Sequence, residues 1–174
     1  MRTKHVLLIA LIAAGFAFFG ACKSAPAPVA APQEDLDLSF DNVYSKYQDR
    51  LILDGATDYV VQQDEWLTKI ARKFYGSEKE FGVANAYFFP LIMLASNEEV
   101  NDPDLIVPGM RLTIPDLRKN LDNADARQMM KEFFTDIAAI YEQKAHDAIS
   151  ANRPSRRQLA EETQQNLLYL VQSL

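Results

Sequence analysis

Residues 59–115 constrain the fold most, because they contain two β-type segments with two helical patterns between them. Tyr59, Val60 and Val61 form the first β-type segment, and residues 111–115, with the sequence Arg-Leu-Thr-Ile-Pro, form the second. A strand, helix, helix, strand unit of this length can pair its terminal strands antiparallel and pack both helices on one face. Such a unit forms a complete small core.

The two helical patterns differ in how much of their surface is apolar. The first pattern predicts an amphipathic helix that Asp64 or Glu65 caps and Gly76 ends, with one apolar face made of Leu67, Ile70, Ala71 and Phe74. The second pattern, over residues 87–96, is almost entirely apolar, so we expect this helix to be buried on most sides. Pro90 is compatible with it only in the first turn.

In this region the chain resembles a LysM domain, the module that binds peptidoglycan and chitin. The opening pattern of that family is matched by Tyr59, Val61, Leu67, Ile70 and Ala71. Residues 102–115, with the sequence Asp-Pro-Asp-Leu-Ile-Val-Pro-Gly-Met-Arg-Leu-Thr-Ile-Pro, resemble the ending of the longer LysM variants. The departures from the family pattern are at Asp64, Glu65 and Trp66, where Gly, Asp and Thr are usual, and at Ser96, where Asn is usual.

The resemblance implies an α+β fold: a small βααβ LysM-like domain with a two-stranded antiparallel sheet, followed by a C-terminal helical hairpin. The hairpin itself is predicted from a long apolar stripe over residues 126–148, a break at residues 152–154, and a second stripe from Leu159 to Leu174 that a capping box at Ser155 and Gln158 opens. The predicted organisation is a lipoprotein signal peptide (1–21), a Pro/Ala-rich tether (22–40), a short helix (41–55), the LysM-like domain (56–117) and the helical hairpin (118–174). The polar junction at 116–123 predicts a hairpin separable from the domain.

The glycan-binding site also follows from the resemblance. In the family, a shallow groove lies between the loop before the first helix and the loop before the last strand. Carried over to this chain, these loops are Asp64, Glu65, Trp66 and Leu67 on one side, and Asp104, Leu105, Ile106, Val107, Pro108 and Gly109 on the other. Trp66, the only Trp of the chain, either stacks on a sugar ring or fills the core, and the sequence leaves both interpretations open.

Composition excludes several other classes of function. A formal charge of −6 and a pI near 4.9 disfavour nucleic acid as a partner. With a single Cys, and with His146 as the only His after the signal peptide, the chain has no His/Cys cluster for zinc or for nucleophilic catalysis. Residues 98–104 are rich in carboxylates but lack a glycine-punctuated calcium loop, so we interpret them as turn and capping residues. We therefore expect no cofactor and no enzymatic activity.

The N-terminus predicts export and a lipid anchor. A cationic start is followed by an apolar run over residues 6–19 and then by Gly20 and Ala21, which is typical of a signal peptide. Phe19, Gly20, Ala21 and Cys22 resemble the lipobox of bacterial lipoproteins, in which the Cys is lipidated. This implies a membrane-anchored protein facing the periplasm, and Lys23 in place of Asp favours the outer membrane.

Two functions remain open at this point. The first is a lipid-anchored, non-catalytic envelope protein that binds the N-acetylglucosamine-containing glycan of peptidoglycan through the LysM-like domain. The alternative is a protein–protein interaction scaffold of the envelope that keeps the LysM fold without glycan binding and recruits its partner through the C-terminal helices. Asp64 and Glu65 favour the alternative, because their charges would repel the lactyl and peptide carboxylates of peptidoglycan.

The lipid anchor predicts the behaviour of Cys22→Ser. Because the thioether to the lipid requires the Cys sulfur, this variant is expected to remain unprocessed or to become soluble. Partition between detergent and aqueous phases measures the change. A Ser variant that partitions into detergent like the wild type would contradict the anchor.

Overall fold

The computed structural model describes residues 39–174, and this part of the chain combines helices with one two-stranded sheet. Its helices and strands, in chain order, are α1 (Phe40–Tyr47), β1 (Thr57–Val60), α2 (Leu67–Tyr75), α3 (Phe89–Ala95), β2 (Arg111–Ile114), α4 (Leu117–Asp122), α5 (Ala124–Ser150) and α6 (Pro154–Ser173). The mixed helix and strand content, the two-stranded sheet and the C-terminal helices were predicted. The signal peptide, Cys22 and nearly all of the tether lie outside the described residues.

The sheet pairs the two ends of the central region. Strands β1 and β2 are antiparallel, with Tyr59 opposite Leu112. The pairing continues beyond β1, because the Val61 N–H donates to the Met110 carbonyl and the Gly109 N–H donates to the Val61 carbonyl, both at 2.9 Å. The predicted antiparallel pairing of the two β-type segments is therefore confirmed.

Helix α2 buries the face that its apolar spacing predicted, with one exception. Leu67, Ile70 and Ala71 are buried, but Phe74 is 37% exposed and packs edge-on against Tyr59. The buried aromatic residue of the last turn is instead Tyr75. The sequence assigned Phe74 to the core because its i+7 spacing fits the apolar stripe. However, α2 ends at this turn, and Phe74 packs against the narrow sheet.

Helix α3 is buried on nearly every side, as predicted, and Pro90 lies in its first turn. The helix ends at Ser96, which is also buried. The Ser96 hydroxyl accepts a hydrogen bond from the Thr113 N–H at 2.9 Å and lies 3.4 Å from the Thr113 carbonyl. Ser96 thus joins the end of α3 to strand β2.

The helix before the sheet is shorter than the predicted span of 41–55. It begins at Phe40, capped by the Ser39 side chain, and ends at Tyr47, followed by a single tighter turn over Gln48–Arg50. Leu51 then has an extended backbone, and Ile52 pairs with the buried side chain of Asn120 through its N–H at 3.1 Å and its carbonyl at 2.9 Å. Asn120 lies on α4, a helix that the sequence did not predict although Asp116 caps it.

The C-terminal helices form the predicted antiparallel pair, although two local predictions were wrong. The side chain of Asn123 caps α5 by accepting a hydrogen bond from the Ala126 N–H. Helix α6 begins at Pro154 after Arg153 and has no side-chain cap, so Ser155 does not form the predicted capping box. Leu159, which was assigned to the apolar face, is 56% exposed, and its neighbour Ala160 is buried instead.

Helix α5 shares its core with the rest of the described chain. Phe133 and Phe134 are 0% exposed. The Phe133 ring lies 5.4 Å from that of Tyr47, and the Phe134 ring lies 6.0 Å from that of Phe88. One continuous cluster of buried side chains extends from α1 through α3 to α6. The hairpin therefore shares one buried core with the central region, a contact that the polar side chains of the junction did not indicate.

Residues 39–174 contain no helix that combines the length and apolar character needed to span a bilayer.

The shared core predicts a large effect of Phe133→Ala. Removing this buried ring is expected to lower the free energy of unfolding by ~3–5 kcal/mol. Ile149→Ala is the matched control on the same helix: Ile149 is 54% exposed, so we expect a change below about 0.5 kcal/mol. Chemical denaturation measures both.

Truncation after Leu117 is expected to abolish the cooperative unfolding transition. A truncated chain that still melts cooperatively would contradict the shared core.

Candidate functional site

Trp66 is a large aromatic platform on the surface. It precedes the first residue of α2 with an extended backbone, and its side chain is 57% exposed. The Lys69 ammonium lies 5.1 Å from the centre of the indole ring, a distance at which a cation and an aromatic face attract. This exposure excludes the interpretation of Trp66 as a residue that fills the core.

Glu65 holds the loop that presents Trp66. Its carboxylate accepts hydrogen bonds from the Tyr59 hydroxyl, which lies 2.8 and 2.7 Å from the two oxygens, and from the Gln62 N–H at 2.9 Å. Asp64, beside it, has a φ of 57°, in the left-handed region. Neither residue caps α2, so that prediction was wrong: the turn at Asp64 directs the Glu65 side chain back toward the sheet.

The hydrogen bonds of Glu65 also set its acidity. Burial raises the pKa of the Glu65 carboxyl, but the donors from Gln62 and Tyr59 and the ammonium groups of Lys73 and Lys69 outweigh this effect. The resulting pKa lies below the ordinary value of a Glu. Glu65 is therefore ionised near neutral pH, with its charge directed into its own loop.

The second loop contains an acidic turn before strand β2. Asp102 accepts a hydrogen bond from the Asp104 N–H at 2.9 Å and so caps the short turn Pro103–Leu105. This confirms the predicted capping role for Asp102. Leu105 is 67% exposed, which places a bare apolar side chain beside these carboxylates.

Lys144 connects this loop to the hairpin. Its ammonium lies 2.7 Å from Asp102 Oδ1 and 2.7 Å from Asp104 Oδ2, an arrangement that we call the Lys144 bridge. Tyr141, one turn earlier on α5, lies with its hydroxyl 3.5 Å from Asp104 Oδ1. Burial, with Asp104 and Asp102 nearby, raises the pKa of this Tyr141 hydroxyl, which keeps it protonated. The acidic turn is therefore neutralised in part by a cation from α5.

The two loops and the hairpin enclose a groove of about 880 Å³. The loops form two walls, and the hairpin forms a third wall that the sequence did not predict. The hairpin residues that line the groove include Tyr141, Lys144, Asp147, Ala148, Arg153, Arg156, Leu159 and Thr163. No sequence motif marks them as site residues; the only available signal was the cationic cluster around the predicted break at residues 152–154.

The groove contains six of the ten predicted glycan-binding residues: Glu65, Trp66, Leu67, Asp104, Leu105 and Ile106. The other four, Asp64, Val107, Pro108 and Gly109, do not line it. Residues 107–110 instead make the turn that leads into β2, where the Val107 N–H contacts the Met110 sulfur at 3.3 Å. Gly109 has a φ of 95°, a backbone conformation that favours glycine.

The chemistry of the groove is that of a binding surface with mixed polarity. The exposed apolar groups of Trp66 and Leu105 lie in this groove. The groove also contains carboxylates that are bound to protein donors, and two guanidinium groups on the hairpin wall. Among residues 39–174, no three His, Cys, Asp or Glu side chains come together in a way that could hold a metal ion. The arrangement suits a ligand that combines flat apolar faces with polar substituents.

Comparison of the chain with models of protein families, with curated proteins and with solved structures finds no significant match.

The lowered pKa of Glu65 predicts a pH-dependent effect of Glu65→Gln. At neutral pH the variant is expected to lose about 0.5–1 kcal/mol of stability, the order of one partly exposed hydrogen bond. Because the pKa of Glu65 is lower in the folded than in the unfolded state, its ionised carboxylate stabilises the fold fully at a pH above the unfolded-state pKa, about 4.3. This stabilisation is lost as the pH falls from there through the folded-state pKa. Thermal melts of both proteins at neutral and acidic pH measure this. A difference that persists unchanged at low pH would contradict the role of the ionised carboxylate.

Proposed function

We propose that this protein is a lipid-anchored component of the bacterial cell envelope that binds the N-acetylglucosamine-containing glycan of peptidoglycan without cleaving it. The observation that carries the proposal is Trp66, an exposed aromatic ring on the wall of a groove of about 880 Å³. Aromatic side chains on a groove wall bind the apolar faces of sugar rings, and backbone amides nearby can serve the acetamido groups.

The resemblance of the sequence to LysM domains is the second support. Elements β1, α2, α3 and β2 follow one another in the order expected of such a domain. The two loops that the resemblance implicates meet in one groove, although residues 107–110 are not part of it. The membrane anchor depends on the sequence of the N-terminus, with Cys22 as the site of lipidation.

The charges of Asp64 and Glu65 are the main argument against glycan binding, and the structure weakens this argument for Glu65. The Glu65 carboxylate is bound to Tyr59 and Gln62 within its own loop. The acidic turn of the second loop is engaged by the Lys144 bridge. These contacts direct the negative charges toward protein donors and so reduce the repulsion that an anionic glycan would meet.

An envelope interaction scaffold is the second candidate. It is favoured by apolar side chains that the hairpin leaves exposed: Ile149, Leu159, Leu168 and Tyr169, with exposed fractions of 54%, 56%, 38% and 52%. A helical hairpin that exposes such side chains can bind a partner protein. If the wild-type protein does not bind purified sacculi, the scaffold is the better interpretation.

Glycan binding is tested by sedimentation of Trp66→Ala with purified sacculi. Loss of the ring is expected to weaken binding by ~1–3 kcal/mol, the order of an aromatic hot spot. The melting temperature should stay nearly unchanged because the ring is largely exposed. Tyr169→Ala is the matched control, since Tyr169 is an exposed aromatic residue outside the groove. Undiminished binding by a stable Trp66→Ala protein would remove Trp66 from the site.

A further inference from the structure

The guanidinium groups of two arginines on the hairpin wall of the groove have no partner among residues 39–174. Arg153 immediately precedes α6 and Arg156 lies in its first turn, and both are exposed and line the groove. Neither guanidinium makes an ion pair or a side-chain hydrogen bond within this part of the chain. By contrast, the adjacent Arg157 is bound to Glu161 at 2.7 Å and does not line the groove. Arg153 and Arg156 are therefore available to a ligand.

The acidic groups of the same groove are less available. Glu65 is held within its own loop, and the Lys144 bridge engages both aspartates of the second loop. Asp147, on the hairpin wall, accepts a hydrogen bond from Gln143 Nε2 at 2.9 Å. Arg153 and Arg156 are thus the charged side chains of the groove that have no side-chain partner among residues 39–174, although the chain as a whole is acidic.

Free guanidinium groups in the same groove as an aromatic platform define the ligand by its chemistry. A guanidinium presents a planar fork of N–H donors that fits a carboxylate with two parallel hydrogen bonds. A neutral polymer of N-acetylglucosamine offers no such group. The glycan of peptidoglycan does, through the lactyl group of its second sugar or through the peptide attached there.

We propose that the groove is selective for carboxylate-bearing glycan, with a sugar ring on Trp66 and the carboxylate on Arg153 and Arg156. This inference depends on the proposed function and specifies its ligand. The hairpin is then part of the binding site, and the selectivity for peptidoglycan over neutral glycan resides in it.

Equilibrium binding of the full chain, purified in detergent, to four soluble glycans tests this selectivity. The probes are a neutral N-acetylglucosamine oligomer, a peptidoglycan strand with its peptides, a strand with the peptides removed and the lactyl carboxylates free, and a peptide-bearing strand with its carboxylates amidated. We expect the wild type to prefer the free-carboxylate strands about tenfold over the neutral oligomer at low salt, and less at high salt. Tight binding of the peptide-free strand assigns the lactyl carboxylate, and tight binding of only the intact peptide-bearing strand assigns the peptide carboxylate.

The double variant Arg153→Gln, Arg156→Gln separates this inference from the proposed function. It is expected to lose the roughly tenfold preference, so that its affinities for the free-carboxylate strands and for the neutral oligomer become nearly equal. Arg157→Gln is the matched control and should keep the preference, whereas Trp66→Ala should weaken the binding of every probe. The inference is overturned if the wild type shows no preference for the free-carboxylate strands, or if the double variant keeps that preference. Either result leaves the proposed function standing. A wild type that binds none of the four glycans overturns both.

Discussion

The burial of α3 is the constraint on which the rest of the structure depends. Leu91, Ile92 and Met93 are 0% exposed, so this helix needs apolar contacts on several sides at once. Helix α2 and strand β2 cover two sides, and α5 covers a third. A sheet of two strands is too narrow to do this alone, and each Å² of apolar surface left in water would cost about 25 cal/mol. The C-terminal helices are therefore part of the core.

This packing also creates the groove. Because α5 must lie against α3, its Lys144 comes within 2.7 Å of both Asp102 and Asp104. The Lys144 bridge then holds the loop before β2 against the hairpin, and the far end of the hairpin becomes a wall of the groove that Trp66 also lines. Without α5 and α6, the two loops would form an open surface, and the arginines at residues 153 and 156 would have no site to contribute to. Packing that stabilises the core thus also determines the selectivity that we propose.

The distribution of charge illustrates why net charge is a poor guide to a site. The chain carries a formal charge of −6, and Asp64 and Glu65, in the first loop, suggested repulsion of an anionic ligand. In the structure, Glu65 is an internal acceptor for Tyr59 and Gln62, while Arg153 and Arg156 are free. Since electrostatic interaction depends on which groups are already paired, the local balance at the groove differs from the balance of the whole chain.

The sequence by itself determined the elements whose signals are local. The buried face of α2 at Leu67, Ile70 and Ala71 and the nearly complete burial of α3 follow from the pattern of neighbouring residues, and these predictions were correct. Six of the ten residues implied by the family resemblance lie in the groove. Only the tertiary structure decided that Phe74 is exposed, that Asn120 binds Ile52, and that the hairpin completes the groove. Each of these depends on contacts between residues distant in the chain, which periodicity and capping signals do not encode.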